Sequence, residues 1–123
     1  MGKDRFWILG LDSKKINFDI VSRYESSIAE TYYQKVISAD IEENNLTDLV
    51  VLDSQSSRIV ELLSQDGLTW KSRFHFEVFD TQAVSQDNRG SSHEPRELLL
   101  SDINDDKRND LIFLVHDRIL IYL

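Results

Sequence analysis

Short apolar runs separated by polar clusters recur along the chain, and their pattern predicts strands. Leu49-Val50-Val51-Leu52 and Leu111-Ile112-Phe113-Leu114-Val115 are apolar on consecutive positions. Runs this short, bounded by Asp, Ser and Asn, fit strands covered on both faces and are too brief for a buried helix. Trp7 to Ser13 and Ile16 to Val21 predict another strand pair joined by a polar turn. Weaker patterns lie at Thr31 to Ile37 and at Trp70 to Phe79, where Phe74, Phe76 and Val78 alternate. Between the runs stand Asp53-Ser54-Gln55-Ser56-Ser57, Gln65-Asp66-Gly67 and His116-Asp117, rich in residues that bond their own backbone or tolerate a tight bend. Tyr24 to Glu30 predicts at most a turn. The expected class is all-β.

Two segments match without gaps 62 positions apart: DIEENNLTDLVVL from Asp40 and DINDDKRNDLIFL from Asp102. The match continues into a second strand, pairing Arg58-Ile59-Val60-Glu61-Leu62-Leu63 with Arg118-Ile119-Leu120-Ile121-Tyr122-Leu123 across a connection two residues shorter. The N-terminal Trp7-Ile8-Leu9-Gly10-Leu11-Asp12-Ser13 resembles Leu49 to Ser54 without an acidic loop before it, so the chain is expected to begin inside a repeat. The expected units are 1–37 (partial), 38–79 and 98–123 (partial). A polar segment at 80–97, holding Gly90, Ser91, Ser92 and Pro95, reads as a surface insertion.

The acidic loops carry the candidate chemistry. Asp102, Asn104, Asp106 and Asp110 occupy positions 1, 3, 5 and 9 of a short loop. A hard divalent cation such as Ca²⁺ takes six to eight oxygens, and short oxygen-bearing side chains at that spacing converge when the loop curls. The backbone carbonyl of Arg108 would add a ligand. The first loop offers Asp40, Glu42, Asn44, the carbonyl of Leu46, and Asp48, with Glu42 one methylene longer than its counterpart. Neither loop has glycine at position 6, where the bend is sharpest; Asn45 and Lys107 stand there. The competing reading is that the Asp and Asn side chains cap loop amides without metal.

The pattern D-x-[DN]-x-[DN]-x-x-x-D-L leading into an apolar strand resembles the FG-GAP or VCBS-type repeat. It is carried by Asp102, Asn104, Asp106, Asp110 and Leu111, and more loosely by Asp40, Glu42, Asn44, Asp48 and Leu49. The resemblance implies antiparallel four-stranded blades of a β-propeller, here about two to three as a fragment of a larger one. It also implies structural Ca²⁺ in the loops, an extracellular, cell-surface or periplasmic setting, and a role in adhesion, binding or scaffolding.

Composition narrows the partners. A formal net charge of −8 over 123 residues argues against nucleic acid and against an anionic membrane surface. Zero cysteines exclude disulfides, thiol nucleophiles and sulfur-ligated metals. No apolar run approaches the roughly 18 residues of a membrane span, and no signal peptide follows Met1. His75, His93 and His116 are dispersed, and Ser91-Ser92-His93-Glu94 places triad residue types side by side, whereas triads are built from distant segments. Trp7, Trp70, Tyr32, Tyr33 and Phe79 suit a sheet core better than a sugar-stacking surface. Asn45-Leu46-Thr47 fits the glycosylation acceptor pattern. The expectation is a non-enzymatic, Ca²⁺-binding repeat segment with a protein or carbohydrate ligand. Its apolar faces would be covered by self-association or by the remaining blades of a larger chain. The alternatives are a metal-free spacer and, less favoured, a fragment of a propeller hydrolase or lyase.

Overall fold

The computed structural model describes residues 4–12, 14, 17–55, 59–78, 94–115 and 118–123. These residues form nine strands and no helix. The strands are β1 (Arg5–Asp12), β2 (Asn17–Glu25), β3 (Lys35–Ala39), β4 (Asp48–Leu52), β5 (Ile59–Asp66), β6 (Thr69–Glu77), β7 (Glu97–Ser101), β8 (Asp110–Val115) and β9 (Arg118–Tyr122). All neighbouring pairs are antiparallel, in three sheets: β1-β2, β3-β4-β5-β6 and β7-β8-β9. Among the described residues the sheets are open and form no closed propeller.

The four-stranded sheet is the centre of a stack, which explains why its strands are apolar at successive positions. Side chains alternate across a strand. Val50, Leu52, Val60 and Leu62 point to one face and pack with Leu98, Phe113 and Val115 of the three-stranded sheet. Val51, Leu63 and Trp70 occupy the other face and pack with Tyr24, Tyr33, Phe6 and Ile8. Each such side chain contributes about 1.5–3 kcal/mol when fully buried. Rings mark both interfaces: Phe6 of β1 lies 6.3 Å from Trp70 of β6, and Phe76 of β6 lies 5.1 Å from Tyr122 and 6.4 Å from Phe113 of the third sheet. Lys35 of β3 and Glu97 of β7 form an ion pair between the two larger sheets.

The offset between the two matched segments is also that of their strands, while the ladders differ from the sequence match in two places. Strands β3 and β7 start 62 positions apart, as do β4 and β8. The second strands, however, align one residue away from the sequence match. Leu63 pairs with Leu49, and Tyr122 pairs with Leu111, so Tyr122 is the counterpart of Leu63 and Leu120 that of Glu61. The connection is therefore three residues shorter, and Ile121 stands for Leu62. The N-terminal hairpin is also placed differently. It matches β5-β6, not the β4 strand and the turn after it: β1 and β5 have 8 residues each, β2 and β6 have 9 each. Both hairpins carry a register shift after the fourth residue, at Ile8/Leu9 and at Leu62/Leu63. The extra residues so left out of the ladder are Val21 in β2 and Arg73 in β6.

The central sheet begins at Lys35 and the last at Glu97. Thr31 to Gln34, expected as strand, has no regular secondary structure and leads into β3, with Thr31 and Tyr33 buried. The end of the expected polar excursion packs: Glu94 and Pro95 are buried, and the Arg96 amide donates to the Leu114 carbonyl at 2.8 Å. Residues 79–93 and the His116-Asp117 turn lie outside the described residues.

Candidate functional site: the paired acidic loops

Each acidic loop links the first two strands of a sheet, β3 to β4 and β7 to β8, and the two adopt one conformation. Glu43 and Asn45 in the first loop have φ of 55° and 61°; Asp105 and Lys107 in the second have 61° and 73°. Both therefore bend in the left-handed region at positions 4 and 6 without glycine. Asn and Asp tolerate that region, whereas Lys107 does so at a cost of about 1–2 kcal/mol.

The same hydrogen bonds impose the curl in both loops. Asp40 Oδ1 accepts the Asn44 amide at 3.0 Å, and Oδ2 accepts the Asn45 amide at 2.8 Å. Asp102 accepts the amides of Asp106 at 3.1 Å and Lys107 at 2.8 Å in the same way. Asn44 Oδ1 takes the Leu46 amide and Asp106 Oδ1 the Arg108 amide, both at 2.8 Å. Within each loop an amide donates to a neighbouring carboxylate, Asn44 to Glu42 at 3.3 Å and Asn104 to Asp106 at 3.1 Å.

The ninth positions anchor the loops from below. Asp48 and Asp110 are buried at the start of their strands, and each returns a carboxylate oxygen to the loop entrance. Asp48 Oδ2 accepts the amides of Ile41 at 2.8 Å and Glu42 at 3.1 Å; Asp110 Oδ2 accepts that of Ile103 at 2.8 Å. Asp48 is 0% exposed, and its second oxygen, Oδ1, has no hydrogen-bond partner. An unpaired buried acceptor costs about 1–3 kcal/mol, so this oxygen marks a place where a donor or a cation would be stabilising.

All ten residues expected at the sites thus lie in, or at the base of, two like loops, and oxygens of Asp40, Asn44, Asp48, Asp102, Asn104, Asp106 and Asp110 accept loop amides. Among the described residues no group of three or more Asp, Glu or His side chains is gathered tightly enough to hold a metal ion. A carboxylate oxygen that takes an amide keeps further lone-pair capacity, so capping and ligation do not exclude each other. Guanidinium groups also reach the first loop. Arg73 of β6 pairs with Glu42 at 3.2 Å, and Arg108 of the second loop pairs with Glu43 at 3.1 Å, tying the loops together.

A second polar centre was not anticipated. Glu61 of β5 is 0% exposed and accepts hydrogen bonds from the hydroxyls of Tyr24 at 2.7 Å, Tyr33, and Ser26 at 3.2 Å. Burial, followed by the Glu61 carboxylate, pushes both tyrosine hydroxyls well above the ordinary phenol range. Its trace in the sequence was a carboxylate interrupting the apolar run Ile59-Val60-Glu61-Leu62-Leu63. Of the aromatics weighed as a stacking surface, Trp7 and Tyr32 are exposed while Trp70 and Tyr33 are buried, so these four form no single exposed face; Phe79 lies outside the described residues. His75 lies on the exposed side of β6.

Comparison of the chain with protein-family models, with curated proteins and with solved structures returned no match.

Proposed function

We propose that the chain is a run of propeller-type blades of the FG-GAP/VCBS kind, serving as a non-catalytic Ca²⁺-binding scaffold for a protein or carbohydrate ligand outside the cell or in the periplasm. In this reading the central sheet is a four-stranded blade, β7-β8-β9 is the first three strands of the next, and β1-β2 is the last two of the one before. Support comes from the consistent facing of the stack. Phe6, Ile8 and Tyr24 face the central sheet as Val60, Leu62 and Phe76 face the third. Face-to-face repetition of one unit is how blades bury both their faces.

The observation that carries the calcium reading is the buried, unpartnered Oδ1 of Asp48 beneath a loop whose conformation is repeated 62 residues later. In the second loop Asp102, Asn104, Asp106, the Arg108 carbonyl and Asp110 would hold the ion; in the first, Asp40, Glu42, Asn44, the Leu46 carbonyl and Asp48. The ion would screen the repulsion among these carboxylates and lock the loops.

Calorimetric titration with CaCl₂, alongside thermal melts in calcium and in chelator, tests the reading. Calcium at about 100 times its Kd adds roughly 2.7 kcal/mol of stability. Asp102→Ala removes most of that gain and Asp40→Ala a smaller part. Melts indifferent to calcium and chelator, with no heat of binding, favour the second reading, a metal-free spacer. That reading has its own observation: Asp40, Asp48, Asp102 and Asp110 all already cap loop amides.

The outer face of the third sheet supports the idea of further coverage. Leu99, Ile112 and Ile121 form one cross-strand row, with Leu114 and Ile119 beside it, and Leu99, Leu114, Ile119 and Ile121 are exposed. They stand where Ile37, Val50, Leu62, Leu52 and Val60 of the central sheet stand. Another blade or a second copy of the chain would cover them.

A further inference from the structure

We propose that Arg73 is a built-in counter-cation of the first loop, which competes with calcium for Glu42 and holds that loop's affinity below that of the second. The proposal rests on the calcium reading above and adds a residue that the loop motif does not contain.

Arg73 is the bulge residue of β6, outside the ladder that pairs Leu62 with Phe74 and Leu63 with Ser72. Bulges re-aim side chains, and here the guanidinium reaches across to the loop between β3 and β4. Its Nε lies 3.2 Å from Glu42 Oε1, and its Nη2 lies 3.5 Å from Oε2, so both carboxylate oxygens face the cation. The matching bulge residue of the N-terminal hairpin is Val21, which carries no charge. Glu42 holds the third position of its loop, where the second loop has neutral Asn104.

The base of the first loop supplies an independent observation. Asp48 Oδ2 is bound to the Ile41 and Glu42 amides, while Oδ1 is fully buried and unpartnered. The first loop thus has an oxygen that a cation would satisfy and a neighbouring carboxylate already held by one. The second loop differs. Among the described residues neither Asp102 nor Asp106 forms an ion pair, and Arg108, which lies within that loop, is directed to Glu43 of the first. Two guanidinium groups therefore serve the first loop. A calcium ion binding there must take Glu42 from Arg73 and then remain beside its positive charge.

The test is calorimetric titration of CaCl₂ into the full chain carrying Asp102→Ala, which leaves the first loop as the site. The same titration is run with Arg73→Gln and with Arg73→Lys added. Arg73→Gln is expected to tighten binding about tenfold, the size of the repulsion between a unit charge and a divalent cation roughly 6 Å apart in a water-like dielectric. Arg73→Lys keeps the charge and is expected to leave the weak affinity nearly unchanged. An affinity unmoved or weakened by Arg73→Gln overturns the proposal, as does an equal gain from Arg73→Lys, which would show that charge is not the cause. If the unaltered chain binds calcium and these variants show no gain, Arg73 alone is misassigned. If the unaltered chain binds none, the calcium reading falls and this proposal with it.

Discussion

Tyr24 of β2 donates its hydroxyl to Glu61 of β5 across 2.7 Å, joining the N-terminal hairpin to the central sheet through a carboxylate sealed from water. Tyr33, from the segment entering β3, binds the other oxygen of the same carboxylate. A carboxylate buried with no basic partner among the described residues is tolerable because hydroxyl donors fill its lone pairs. The counterpart of Glu61 in the third sheet is Leu120, so this site departs from the repeat.

Tyr24→Phe and Tyr33→Phe should each destabilise the protein by about 1.5–3 kcal/mol, the range for hydrogen bonds to a charged group. The double variant should cost more than the two singles added, because it strips the carboxylate of both phenolic donors. Replacing Glu61 by Leu in the double variant should recover much of the loss. Urea denaturation of the full cycle measures the coupling.

The same pair makes stability fall in alkali. Both hydroxyls have folded values raised above the unfolded value near 10 by burial and by Glu61. Their contribution is intact below pH about 10 and is lost as pH rises further, because the unfolded chain releases these protons first. Each tyrosine steepens the decline by up to about 1.4 kcal/mol per pH unit. Denaturation between neutral and strongly alkaline pH should show a shallower fall for Tyr33→Phe than for the unaltered chain.

Asp48→Ala should cost about 2–3 kcal/mol in the absence of calcium, because it strands the Ile41 and Glu42 amides. Asp110→Ala should cost less, about 1–2 kcal/mol, with a single amide at stake. Equal losses in thermal or chemical unfolding would show that the two anchors do not differ as their hydrogen bonds indicate.

Lys107→Gly should stabilise the chain by about 0.5–1 kcal/mol, since it removes a side chain from a φ of 73°. Asn45→Gly, at 61°, should be close to neutral because Asn already tolerates this region. Paired chemical denaturation curves give the comparison.

Ile119→Lys and Ile121→Lys place charges on the outer face of β9, where both side chains are exposed. Each should reduce self-association in sedimentation runs and lower binding of an apolar dye, with little change in unfolding midpoint. A strictly monomeric unaltered chain that binds no dye would show that this face needs no cover.

β4 was legible as a strand covered on both faces because its consecutive apolar residues leave no polar face. β8 has the same apolar run, yet only the face of Phe113 and Val115 is buried and Leu114 on the other is exposed. The loops were legible because Asp40 and Asp102 head matching stretches. The second strands were not. Arg58-Ile59 and Arg118-Ile119 look alike, yet the ladders align Val60 with Ile119, and a slip of one residue turns every side chain to the opposite face. The N-terminal hairpin misled for another reason. Its apolar run and following polar turn resemble several strands at once, and only its length, its bulge and the sheet it meets identify its place. Glu61 stood out in an apolar run, but its partners lie 37 and 28 residues earlier, beyond any local pattern. Arg73 could not be connected to Glu42 without knowing that β6 is bulged there.

Because each outer sheet leans on the central one, the molecule behaves as a short one-dimensional array. Neighbour contacts, more than any single unit, then hold it together. The middle member has supporters on two sides and each end member on one, so cooperativity runs outward from β4 and β5. Amide hydrogens there should be the last to exchange, while β1, β2 and β9 fray earlier. In such an array a lesion at the hub, at Leu52 or Leu63, disables every unit, whereas one at either rim costs only its own.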